Sequence, residues 1–309
     1  MLKSAFLTQP IDAATLAAIE TLDLNLLIGK WQHFDAGAAA QLQAAGRQVH
    51  VEVGLFVGES WWQRFPDARP RSQDGELMPR IKWYHGVCPN HPAVRSELLA
   101  RVAHIIDTMP INGLWLDFIR YPAHWEIVRD EAPAEYCFCD HCLAQFRREV
   151  GGEPAGPAWV AWKCQQIAAF VAAVRALINS SGKTIQLGLF AVPWRPDELD
   201  GAIRRIIGQD FRLLAPHVDL FGPMSYHGLC DRPVEWIATG VAQLHSLTGK
   251  PILPLIQTMA EPGPLPVDEF AAALRLASAK PAAGVCLFHL AALQQDSARF
   301  AAAAAQLRG

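Results

Sequence analysis

Eight times along this chain a short apolar run rich in β-branched and aromatic residues gives way to a stretch of helical length, and this alternation restricts the fold more than any other feature. The strand-like runs are Ser4 to Thr8, Asn25 to Lys30, Val49 to Phe56, Gly113 to Ile119, Thr184 to Ala191, Val218 to Met224, Ile252 to Gln257 and Gly284 to His289. The helical stretches between and after them are Ala13 to Leu22, Ala36 to Ala45, His91 to Thr108, Ala158 to Asn179, Asp200 to Ala215, Pro233 to Leu247, Val267 to Ala279 and Ser297 to Leu307. Strands joined through helices pair in parallel with right-handed crossovers, and eight such units favour closure into a single α/β (β/α)8 barrel spanning residues 1–309. The rival, an open doubly wound sheet, would carry a Gly-rich turn after its first strand if it bound a dinucleotide, and Gln9-Pro10-Ile11-Asp12 is no such turn. Two connections exceed ordinary βα loops: Val57 to Asn90 after strand three and Arg120 to Pro157 after strand four. Long βα loops of a barrel belong to its catalytic face.

Composition narrows the partners. A formal charge of −3, with Lys and Arg scattered along the chain, gives no basic stripe for nucleic acid. The longest apolar stretch, Ile167 to Ile178, is broken by Arg175 and falls short of the roughly 20 residues that span a bilayer, so no membrane segment is expected. The run before Gln9 is too short for a signal-peptide core, and the seven cysteines do not suggest a secreted disulfide framework; both favour a cytoplasmic location. Oligomeric state is not legible.

The segment Asn112-Gly113-Leu114-Trp115-Leu116-Asp117-Phe118-Ile119-Arg120-Tyr121-Pro122 places an acid and a base at the C-terminal end of strand four, where barrel enzymes keep their chemistry. Asp117-Phe118-Ile119-Arg120-Tyr121-Pro122 resembles the glycoside-hydrolase barrels whose fourth strand reads Asp-Tyr-Ile/Val-Arg-Phe-Pro, distant relatives of the chitinase-like and amylase-like barrels. A second segment after strand six, Gly222-Pro223-Met224-Ser225-Tyr226-His227, is similar to the Met-x-Tyr-Asp segment of those barrels, in which the Tyr faces the sugar; here His227 replaces the Asp. Ile119 and Arg120 stand where a chitinase would hold its catalytic Glu, so the chitinase mechanism does not transfer. The resemblance implies a glycosidase acting on an oligosaccharide or glycoconjugate, with Tyr226 against the sugar.

Glycoside cleavage ordinarily needs two carboxyl groups, one to protonate the leaving oxygen and one to act as nucleophile or base. Asp117 is the first, with Arg120 fixing its charge or gripping an anionic substituent. Glu126, a few residues on, is the nearest second, with His124 beside it as another proton carrier. Glu52, flanked by Val51 and Val53 within strand three, also has the alternation that would face the lumen, and Glu59, Asp231 and Glu261 lie in loops on the same side. Trp31, Tyr121, Trp125 and Trp194 fall at strand ends or in the following loops and would stack on sugar faces; His227, Gln257 and His289 would bind hydroxyls. Trp61, Trp62, Trp83 and Tyr84 share that placement. Two other readings stay open: a carbohydrate-binding barrel without catalysis, and a barrel hydrolase or lyase that uses His124 or His227 on a non-sugar substrate.

Cys137-Phe138-Cys139-Asp140-His141-Cys142 brings three thiols together in the loop after strand four, close enough for one tetrahedral zinc. Cys88, in the other long loop, is the expected fourth ligand and His141 the local substitute; four protein ligands would make a structural site, not a catalytic one, so no catalytic cofactor is expected. The alternative is reduced thiols around a tight turn. There is no His-Glu-x-x-His, no His-x-His on strand one and no Gly-rich phosphate cradle after strands seven or eight, which disfavours zinc proteases, metal-dependent amidohydrolases and phosphosugar barrels.

Overall fold

The structure, a computed structural model, describes residues 1–34, 36–127 and 132–308. Eight parallel strands close into a barrel in the order β1 to β8. They are β1 (Leu2–Leu7), β2 (Leu26–Lys30), β3 (Gln48–Gly54), β4 (Gly113–Asp117), β5 (Gln186–Ala191), β6 (Leu220–Ser225), β7 (Leu255–Gln257) and β8 (Gly284–Phe288). Around them run α1 (Ala13–Thr21), α2 (Ala36–Ala44), α3 (Glu59–Arg64), α4 (Pro92–Thr108), α5 (Asp140–Glu149), α6 (Gly156–Ser180), α7 (Ala202–Arg205), α8 (Phe211–Leu214), α9 (Trp236–Thr248), α10 (Val267–Ser278), α11 (Leu290–Gln294) and α12 (Ser297–Arg308). Among the described residues no helix is long and apolar enough to cross a membrane.

The eight strands fall where the alternation places them, and the differences lie in the connections between them. The single helix expected over Asp200 to Ala215 is two short ones, because Gly208 takes a left-handed φ of 77° and Gln209 leaves the helical path. The Gln209 carboxamide accepts the N–H of Val192 at 3.0 Å and reaches the Ile119 and Phe190 carbonyls at 3.3 Å, so the break ties the ends of β4 and β5 together. The two long connections are not bare loops: α3 lies in the first and α5 in the second, and Ser72 pairs with Tyr136 in an antiparallel bridge between them. Residues 128–131 of the second lie outside the described residues.

The lumen is filled by aromatic side chains set against glycines. Trp115 lies across it, stacked on Phe190 at 4.7 Å, and its indole N–H donates to His50 Nδ1 at 3.0 Å. Burial holds the His50 imidazole down to about 3, so the ring is neutral and free to accept. Gly188 sits opposite Trp115 on β5, where a Cβ would come within 2.4 Å of the indole; at Gly222 on β6 it would come within 2.8 Å. The pairing of one large ring with two absent side chains fills the barrel at protein density. Gly188→Ala should therefore cost about 3 kcal/mol through overpacking, read as a lowered urea midpoint, while Gly240→Ala, inside α9 with open space around it, should raise the midpoint by the worth of about 0.5–1 kcal/mol.

This aromatic floor has a consequence for the strand ends. His50 and Trp115 face inward, so Glu52 and Asp117, two residues further along β3 and β4, face inward too, one layer nearer the C-terminal mouth.

Candidate active site

The mouth of the barrel holds a cluster of ionisable groups on top of that floor. β4 ends at Asp117, and Phe118 then takes a left-handed φ of 51°, a conformation bulky residues rarely adopt. The turn aims the Phe118 N–H at Asp117 Oδ1 (2.7 Å) and brings Arg120 Nη1 to 3.9 Å from the same oxygen. Arg120 is 2% exposed, its guanidinium lies 4.6 Å over the Phe118 ring, and its Nε and Nη1 have no hydrogen-bond partner among the described residues. A buried cation with N–H groups to spare serves as the fixed positive charge of the site.

Three carboxyls gather at the mouth, and all three are pushed above their ordinary range by burial. Glu52, 3% exposed, is raised to about 8, first by desolvation and then by the charge of Asp117, with Lys30 at the end of β2 opposing. Asp117 is raised by desolvation, with Arg120 and Lys30 pulling it back. Glu126 is raised by desolvation against the pull of Arg120. A cluster in which one carboxyl keeps its proton at neutral pH while another is held by a cation is how acid and base roles become separated. Gly54, the inward position above Glu52, carries no side chain; a Cβ there would lie 3.4 Å from Glu52 Oε1, so the carboxyl reaches toward the mouth through the space that glycine leaves.

Aromatic rings wall the cluster. Trp125 stacks on Tyr226 (6.2 Å between ring centres), which leans on Phe288 at the end of β8 (5.0 Å). The Tyr226 hydroxyl is pushed well up by burial and by Asp117, and so stays a neutral donor. On the opposite side Trp83 is 58% exposed, with its edge against Tyr84, Phe118 and His124. The His124 ring has Nε2 at 3.8 Å from Glu126 Oε2, and burial together with Lys82 and Arg120 holds it below the usual histidine range.

Of the residues singled out from sequence, Asp117, Arg120, His124, Trp125, Glu126 and Tyr226 come together here. The others go elsewhere. Tyr121 is buried and turned to the cysteine loops, its hydroxyl accepting the Asn90 amide at 2.8 Å. Trp194 lines a narrow groove outside the barrel with Phe211, Pro223 and Leu244. The buried His227 ring faces Glu269 of α10 (3.0 Å), Gln257 joins the Leu229 N–H to the Glu261 carbonyl, and His289 Nδ1 caps α11 at Ala292. Trp31 stands half-exposed on the rim beyond Lys30. Glu59 pairs with Arg80 on the surface. Glu52 is the group whose weight sequence reasoning understated: Val-Glu-Val in a strand predicted to face a barrel lumen was its signal.

Cys88, Cys137, Cys139 and Cys142 converge as well, all buried and with sulfurs within 4.8 Å of one another. A cavity of about 430 Å³ lies off the mouth between Phe138, Trp159, Asp200 and Arg204. Its Glu135 is already bound by Lys163 (3.2 Å) and Arg205 (3.3 Å), which leaves the mouth as the site with chemistry to offer.

No family model matches the chain, and no curated protein matches it by sequence. Solved structures do. The β-galactosidase of the Antarctic haloarchaeon Halorubrum lacusprofundi superposes with a TM-score of 0.75 at 14% identity, covering 100% of this chain and 58% of its own. The PgaB (BpsB) glycoside hydrolase domain of Bordetella bronchiseptica gives 0.69 at 13% identity over 94% of this chain and 91% of its own. The catalytic domain of the β-amylase of Paenibacillus polymyxa gives 0.67 at 11% identity over 97% and 94%. At such identities the likeness is one of fold. This chain has a closed (β/α)8 barrel, the fold it shares with these solved glycoside hydrolases.

Proposed function

We propose that the protein is a glycoside hydrolase that cleaves an oligosaccharide or glycoconjugate at the mouth of its barrel. The observation that carries this reading is the gathering of Glu52, Asp117 and Glu126 at the mouth, where the buried guanidinium of Arg120 acts on Asp117 and Glu126 and the charge of Asp117 acts on Glu52. Asp117 is the ionised partner: it is nearest to Arg120, accepts the Phe118 N–H, and keeps 19% side-chain exposure. Glu52 carries the proton given to the leaving oxygen. The two sit on neighbouring strands, Glu52 level with Trp115 and Asp117 level with Gly54, near enough for the charge of Asp117 to act on Glu52; in this reading Asp117 attacks the anomeric carbon directly and forms a covalent glycosyl intermediate. Glu126 and the Tyr226 hydroxyl supply polar contacts to the ring hydroxyls, and Trp83 a face on which a sugar stacks.

The test is release of reducing ends from a panel of natural oligosaccharides and aryl glycosides, with product stereochemistry followed by proton NMR. Turnover with retention at the anomeric carbon is expected. Sugar binding without turnover across the panel would sink the enzymatic reading in favour of a carbohydrate-binding barrel. Trp83→Ala should weaken binding of an extended oligosaccharide about tenfold, measured by calorimetry, if stacking is worth about 1.4 kcal/mol. An unchanged affinity would remove Trp83 from the substrate path.

A further inference from the structure

We infer that Cys88, Cys137, Cys139 and Cys142 form a tetrathiolate zinc centre whose function is to hold the strand-four segment bearing Asp117 and Arg120, through Asn90. The sulfurs of Cys88 and Cys142 are 3.4 Å apart and those of Cys88 and Cys139 3.7 Å apart, and none of the cysteines is in a disulfide. A tetrahedral zinc with sulfur at about 2.3 Å sets its ligands about 3.8 Å from one another, so these thiols stand close to the spacing the ion imposes. Four sulfur ligands close the coordination sphere and leave no place for substrate.

The surroundings are built for such a centre. Zinc with four thiolates carries a net charge of −2, and two cations abut it: Arg95 donates to the carbonyl of Pro89, next to Cys88, at 3.0 Å, and the buried Lys163 donates to the carbonyl of Tyr136, next to Cys137, at 2.8 Å. The Asn90 amide donates to Cys142 Sγ at 3.2 Å, the outer contact that orients a thiolate ligand. That same Nδ2 donates to the Tyr121 hydroxyl at 2.8 Å, and Tyr121 directly follows Arg120. Tyr121 is clamped from its other side by Lys163, 4.6 Å over its ring, and by its own N–H on the Ile207 carbonyl. The ligands come from both long loops, Cys88 from the one after β3 and the other three from the one after β4, so one ion would join the two walls of the mouth. Asn90 is thus a positioning residue: it touches the metal ligand on one side and the catalytic strand end on the other.

Elemental analysis of the full chain purified under reducing conditions should find about one zinc per chain. Replacement by Co²⁺ should give the intense near-ultraviolet band of thiolate-to-cobalt charge transfer and the visible bands of tetrahedral geometry. Cys139→Ser should lower metal content and melting temperature together. Hydrogen exchange separates the positioning claim from metal binding alone and needs no substrate: stripping the metal with a chelator should raise exchange at least tenfold at residues 84–91 and 118–123 while β6 to β8 keep their protection. Asn90→Ala should keep the zinc and still raise exchange at 118–123. Absence of zinc and cobalt from folded protein, even after incubation with excess ion and reductant, would overturn the centre. Unchanged exchange at 118–123 in both the stripped protein and Asn90→Ala would overturn its link to the active site.

Discussion

Replacing Asp117 by Asn is expected to lower turnover by at least about a thousandfold on every glycoside the wild-type protein cleaves, with the fold intact. The change keeps the shape of the side chain and leaves an amide oxygen that can still accept the Phe118 N–H, so β4 and its left-handed turn should survive. What is lost is the negative charge 3.9 Å from Arg120 and the oxygen that attacks the anomeric carbon. Because attack precedes every later step, the defect should persist on aryl glycosides with good leaving groups, and small anions such as azide should restore part of the rate with inversion at the anomeric carbon. Far-ultraviolet circular dichroism and the melting temperature are the controls. Near-normal turnover with a lowered melting point would return Asp117 to the role of a structural partner for Arg120.

Much of this architecture is legible in the sequence because it is written in short-range terms. Period-two apolar runs separated by helical stretches give all eight strands, and the two oversized connections mark the side of the barrel that carries the site. The helix expected over Asp200 to Ala215 failed for a reason a local pattern does not contain: Gln209 is held by Ile119 and Val192, and Gly208 lies against Tyr121 and Ile167, all outside the segment. The aromatic floor is equally hidden, since the need for glycine at 188 and 222 is visible only once Trp115 is seen lying against both.

The site divides along the same line. Asp117 and Arg120 are fixed by the strand end that carries them, and Glu126 and His124 follow within one turn of loop, so local spacing suffices. Tyr121, His227 and His289 occupy positions of the right chemistry and level, yet each ring is already engaged, by Asn90, Glu269 and the N-terminus of α11. Their partners come from other parts of the chain. Cys88 joins three cysteines more than forty-five positions away because the loops after β3 and β4 are neighbours wherever two consecutive strands of a barrel are paired. Glu52 stands between these cases. Its inward direction follows from alternation, but its importance depends on Asp117 lying on the adjacent strand and on burial by the floor below.

Glu52→Gln tests that importance twice, once through catalysis and once through stability. As the proton donor, Glu52 matters most when the leaving group is poor: the variant should lose about 10²- to 10⁴-fold on natural oligosaccharides and much less on nitrophenyl glycosides, whose leaving oxygen needs no proton. The wild-type rate should fall as pH rises through about 8, where Glu52 gives up its proton, and that limb should be absent from the variant. Glu126→Gln separates the two raised carboxyls: a selective loss on poor leaving groups there, but not in Glu52→Gln, would move the acid to Glu126. The stability effect has the opposite sign to the catalytic one. A carboxyl raised from 4.5 to about 8 by folding binds its proton more tightly in the native than in the unfolded state, so the native protein loses stability as pH climbs through that interval. Below pH 4.5 both states are protonated and the penalty vanishes; above 8 it is complete. Gln carries no charge at any pH, so the variant should melt on the order of 5 °C higher than wild type at pH 9 and within about 1 °C of it at pH 4. A dead enzyme that is more stable in alkali is the pattern of a buried carboxyl kept for chemistry at the expense of stability. A variant less stable than wild type at both pH values would mean that Glu52 holds the barrel together instead.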